Sequence, residues 1–113
     1  MVNEWEELAR KQDAKDMAAK YSEQCIFLSQ EKGLLSGRDA VEQAYSEWFA
    51  AGQADVDVTI LDGGTMGTDY EWLLEEFKFY NNNQEIIYST RALVVFKRVN
   101  GGMQTYLKAE MRY

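Results

Sequence analysis

The sequence predicts an α+β fold, with N-terminal helices packed on a curved antiparallel sheet. Three observations carry that expectation. Apolar residues recur at helical spacing up to Gly52, interrupted only by the short run CIFLS. From Asp55 onward they alternate at the period of a strand. Clusters of Gly and Asn then cut this second part into four pieces, the pattern of a meander.

Taken in order, Trp5, Leu8 and Ala9 mark the apolar side of a first helix. Asp13 reads as a new N-cap with Asp16 three residues later. Ala14, Met17, Ala18 and Tyr21 continue the apolar side, as a second helix or a bent continuation of the first. Cys25 to Ser29 is expected to be a short strand and QEKG its turn. In the stretch GLLSGRDAVEQAYSEWFAAG, Ser36 is placed to cap a helix, with Asp39 at its third position. Val41, Ala44, Tyr45, Trp48 and Phe49 form its buried stripe, and Gly52 ends it.

Val56, Val58 and Ile60 then alternate with Asp55, Asp57 and Thr59, which gives a strand one buried face. Gly63, Gly64 and Gly67 read as a turn. Tyr70 to Tyr80 and Glu85 to Val99 are long strands joined by Asn81, Asn82 and Asn83, residues suited to left-handed turn positions. Asn100-Gly101-Gly102 makes another hairpin, and Met103 to Met111 is the last strand. Both long strands carry apolar residues on both alternating sets. Leu73, Phe77 and Phe79 share one side; Tyr70, Trp72, Leu74 and Tyr80 share the other. A sheet apolar on two faces needs covering twice, by helices and by a second copy of the chain.

The totals bound the function. The chain of 113 residues makes one domain, 1–113. A net charge of −7, with scattered basic residues, argues against nucleic acid and against anionic membrane surfaces as partners. The absence of histidine excludes imidazole metal sites and His-dependent triads. The single Cys25 lies in an apolar run and reads as a structural thiol. No metal and no cofactor are expected. The acidic, polar opening MVNEWEELARK has no apolar signal core, so a cytoplasmic protein is expected. The segment GGTMG lacks the lysine of a phosphate loop and reads as a turn.

The segments QDAKDMAAKYSEQCIFL, LLSGRDAVEQAYSEWF, DYEWLLEEF and VVFKRVNGGM, in that order and spacing, resemble the SnoaL-like or DUF4440-like branch of the NTF2-like superfamily. Met103 replaces the tryptophan usual there, and Gln24-Cys25 an aspartate-alanine step. The short Trp-containing first helix is similar to that of small uncharacterised members from nematodes. The resemblance implies a cone-shaped α+β barrel, a pocket between sheet and helices, and homodimerisation through the outer sheet face. Positions of the family's ketosteroid isomerase site fall at Trp5, Ser29 and Ala92 to Val94, which keep none of its chemistry. Scytalone-type dehydratases need histidines that the chain lacks. The carboxylate–arginine–carboxylate logic of the family's epoxide hydrolases is the one chemistry left.

Glu75, Arg91 and Glu110 are the candidates for that acid–base group, if all three point inward. The competing expectation is that each pairs across strands on an exposed face. A register error of one residue would exchange Glu75 for Glu76, and Arg91 for Thr90 or Ala92. Tyr21, Tyr45, Trp48, Trp72, Phe77 and Tyr88 are the candidate ligand contacts, although core packing is the simpler role for Tyr45 and Trp48. The leading expectation is a homodimer that binds a small apolar molecule. A hydrolase or lyase, a protein-association module and an engineered scaffold stand as alternatives, the last suggested by the absence of proline and histidine.

Overall fold

Asp13 divides the first helical segment in two. The computed structural model, which describes residues 2–112, with side chains over 4–112, has α1 at Val2–Lys11 and α2 at Ala14–Ala19. The Asp13 carboxylate accepts the Asp16 N–H at 3.0 Å, as the spacing of the two acids predicts. Gln12 takes a positive φ of 56° and turns the chain between the helices.

Strand β1 covers Tyr21–Ser29 and so begins before Cys25. A turn returns it as the four-residue edge strand β2, Gly33–Ser36, with Leu28 opposite Leu34 and Ile26 opposite Ser36. Sequence analysis gave no strand here, because GLLS reads as the approach to the next helix. Ser36 is therefore held in a ladder and does not cap α3, Arg38–Ala50. The cap position is Gly37, whose φ of 90° lets the chain leave the strand while its N–H donates to the Cys25 carbonyl at 2.9 Å. The expected stripe of Val41, Ala44, Tyr45, Trp48 and Phe49 is buried throughout.

The remaining chain forms β3 (Asp55–Met66), β4 (Tyr70–Tyr80), β5 (Ile86–Val99) and β6 (Gly102–Arg112). These make the expected antiparallel meander, in the sheet order β2-β1-β6-β5-β4-β3. The pairing of β1 with β6 is parallel, so the sheet is mixed, and it stays open at β2 and β3. Gly63 and Gly64 lie within β3 and are not turn residues. A Cβ at Gly63 would come 2.7 Å from Leu73 Cδ2, and one at Gly64 2.9 Å from Trp72 Nε1. Gly67, with φ 73°, makes the turn instead.

Register shifts between Ile60 and Asp62 and between Val95 and Phe96 bend the curved sheet. The inner face carries Val56, Phe77, Phe79, Ala92 and Val94 against the helices. Strand β6 runs against its own hydrophobic pattern. Lys108 is buried, whereas Met111 and, on the same alternating set, the half-buried Leu107 and Ala109 face outward.

Replacing the cap by Asp13→Ala leaves an unsatisfied N–H at α2. It should lower stability by about 1 kcal/mol in urea unfolding, with an unchanged slope.

Candidate functional site

Trp5 reaches the inner face because α1 is fixed over the edge of the sheet. The Glu6 carboxylate accepts the Val58 N–H at 2.9 Å, and Arg10 pairs with Asp55 at 2.9 Å. The indole then meets Phe77 at 5.4 Å and Tyr45 at 6.3 Å, both edge-on. On the opposite side, Arg38 donates twice to the Tyr21 carbonyl, at 2.8 and 3.1 Å, and ties α3 to the start of β1.

Between these elements lies a cavity of about 310 Å³. Its walls are Trp5 of α1, Val58 of β3, Leu73 and Phe77 of β4, Val94 and Phe96 of β5, and Met103 of β6. Tyr21 and Thr105 also line it. So do exposed Glu4 and half-buried Lys20, paired with one another.

Among the described residues, one carboxyl and one amine line the cavity from buried positions, Glu75 and Lys108, with relative exposures of 6% and 4%. Cross-strand register sets their spacing. Glu75 pairs with Ala92 and Ala92 with Glu110; Leu73 pairs with Val94 and Val94 with Lys108. Glu75 and Lys108 therefore stand two strands apart and one inward position out of step, across the small side chains of Ala92 and Val94. Among the described residues no ion pair joins them. The Lys108 ammonium instead lies over three rings, 4.3 Å from the centroid of Phe77, 5.0 Å from Phe27 and 5.1 Å from Trp5.

Burial shifts both groups toward neutrality. Loss of water pushes the Lys108 pKa down, opposed by the negative charges of Glu110 and Glu75. It pushes the Glu75 carboxyl up, opposed by Lys108. Tyr21 and Tyr45 share a hydroxyl hydrogen bond of 2.8 Å, in which one donates and the other accepts, and burial holds both phenols well above their usual range, so both stay neutral.

Of the acid–base group expected from sequence, Glu75 and Glu110 fall in one cross-strand row, but Arg91 does not join them. It is exposed on the outer face, 3.5 Å from Glu76, because the inner set of β5 is Thr90, Ala92 and Val94. The buried cation of the cavity is Lys108, which sequence reasoning missed. Its one signal was the parity it shares with Glu110. Among the expected ligand contacts, Tyr21 and Phe77 line the cavity. Tyr45 lies behind Tyr21, and Trp48 packs on Phe27 with ring centroids 5.9 Å apart. Tyr88 donates to Gln53 Oε1 at 2.7 Å, and Trp72 is on the outer set of β4 beside Gly64. These four belong to the core or the outer face and do not line the cavity.

Residues 1–104 match the SnoaL-like domain. The chain belongs to the SnoaL-like family. Solved structures share its fold at low identity. A domain of unknown function with a cystatin-like fold from Nostoc punctiforme aligns over 100% of this chain and 70% of its own, at 18% identity and TM-score 0.81. An NTF2-like protein from Novosphingobium aromaticivorans aligns over 96% and 75%, at 12% identity and TM-score 0.81. A ketosteroid isomerase-like protein from Erwinia carotovora aligns over 96% and 87%, at 13% identity and TM-score 0.79. These matches establish an NTF2-like, cystatin-like fold for the SnoaL-like chain. No match was found among curated proteins. Among the described residues no helix is long and apolar enough to cross a membrane.

The upward shift of Glu75 fixes the sign of a pH effect. The native state holds this proton more tightly than the unfolded chain, so ionisation of Glu75 removes stability as pH rises above the ordinary carboxylate range. Glu75→Gln should therefore be more stable than the parent at neutral pH. The difference should close below about pH 4, where unfolded glutamate is itself protonated, and urea unfolding at the two pH values measures it.

Proposed function

We propose that this SnoaL-like protein binds one compact, mostly apolar molecule with a polar end, and does so as a homodimer. The observation that carries the reading is the cavity of about 310 Å³, walled by aromatic and aliphatic side chains with Glu75 and Lys108 in its interior. That volume is at the lower end of the range for small-molecule sites, roughly 300–1,000 Å³. A ligand with two or more fused rings and a carbonyl or hydroxyl suits both the wall and the interior pair. The fold neighbour described as ketosteroid isomerase-like makes steroid-like and naphthalene-like compounds sensible first probes.

The dimer reading is supported by the outer face. Two rows cross it, Leu28-Ala109-Leu93-Leu74 and Ile26-Leu107-Val95-Trp72. Leu28 is 47% exposed and Leu93 41%, which leaves an apolar surface bare on an isolated chain. The Arg91–Glu76 pair lies one row farther along. A cytoplasmic setting accords with the acidic balance and with the buried, unpaired thiol of Cys25.

A cavity-filling probe should raise the melting temperature, with a stabilisation that grows as the logarithm of its free concentration and reaches about 2.7 kcal/mol at 100 times its Kd. Leu73→Arg, which drives a long side chain into the wall, should abolish the shift. Failure of every apolar probe to move the transition would remove the binding reading. For the dimer, Leu93→Glu should convert a two-chain mass in light scattering to a one-chain mass at micromolar concentration. The substituted position is exposed, so folding should be retained, and a one-chain mass for the parent itself would contradict the proposal.

A further inference from the structure

We infer that Lys108 is an imine-forming lysine, which captures an apolar aldehyde or ketone in the cavity with Glu75 as its proton donor. The inference rests on the binding reading above and names the ligand class that the same cavity takes.

The argument begins with placement. Most lysines keep their ammonium in water, but Lys108 is 4% exposed and ends inside a chamber walled by apolar side chains. No ion pair fixes it among the described residues. Phe27, Phe77 and Trp5 fix it instead, and they come from β1, β4 and α1. A desolvated lysine supplies the neutral amine that carbonyl chemistry needs, and burial drives Lys108 in that direction. Glu75 lies across Ala92 and Val94, buried and shifted toward its protonated form. Both side chains line the cavity, and the amine reaches over Phe77, the inward neighbour of Glu75 on β4. An apolar carbonyl compound seated on the ring wall places its C=O between them.

The step balances without any further reagent. The Lys108 nitrogen forms a bond to the carbonyl carbon while the oxygen takes the Glu75 proton. The new ammonium returns a proton to Glu75, which leaves a neutral carbinolamine. Glu75 then protonates the hydroxyl, the C–O bond breaks, and water departs. A protonated imine remains, paired with the Glu75 carboxylate and lying over the rings that held the ammonium.

The test uses the full chain with naphthaldehyde and sodium cyanoborohydride at neutral pH, read by intact mass and peptide mapping. Methylnaphthalene, which fills the same wall but has no carbonyl, serves as the binding control in thermal melts. We expect rapid addition of one probe less one oxygen on Lys108, ahead of the exposed lysines. The adduct should be absent in Lys108→Met, whose cooperative melting shows that it folds, and retained in Lys20→Met, which removes another lysine lining the cavity. Glu75→Gln should slow formation by roughly 100-fold, the scale of a lost general acid. Stabilisation of the parent by methylnaphthalene without a Lys108 adduct would overturn imine capture and leave binding intact. If methylnaphthalene does not stabilise the parent and no adduct forms, the binding reading falls and takes the imine with it.

Discussion

The ammonium of Lys108 joins four elements that are distant in sequence. It projects from β6 onto rings supplied by α1, β1 and β4. Each cation–ring contact is worth about 0.5–2 kcal/mol. The fields of Glu75 and Glu110 oppose the loss of water but do not cancel it, and the Lys108 pKa stays below its ordinary value. The chain tolerates a partly uncompensated charge at the centre of its sheet. A solid apolar filling would remove that strain, and it would also remove the hollow.

Strand parity turns this single group into an architecture. With Lys108 inward, period-two alternation puts Leu107, Ala109 and Met111 outward. The apolar set of β6 therefore faces away from the helices and joins Leu93, Leu74 and Leu28 on the bare side of the sheet. A cavity with ionisable groups inside and an apolar outer surface thus come from one choice of face. The inversion breaks the usual rule of apolar residues inward, and such local breaks tend to fall at functional sites.

Much of the fold was legible. The Asp13–Asp16 cap, the α3 stripe and the four-strand meander follow from short-range chemistry, and sequence displays short-range chemistry directly. Ser36 misled because a capping serine and a strand-end serine look alike until the partner strand is known. Gly63 and Gly64 misled because glycine serves turns and close approaches equally, and only the position of Leu73 and Trp72 distinguishes them. The site was half legible. Glu75 stood out as a carboxylate interrupting an apolar set, but Lys108 sat in a strand whose other set was the apolar one. Arg91 and Lys108 exchange roles solely through the face each strand presents, a property fixed by pairing across β4, β5 and β6.

The most direct measurement is a pH titration of the lysine side chains by carbon NMR, with Lys108→Met used to assign the resonance. A lysine seated on three rings away from water should titrate well below the exposed lysines and show ring-shifted signals. A Lys108 resonance that titrates together with those of the surface lysines, without ring-current displacement, would mean that its amine stands in water and that the sheet holds no such chamber.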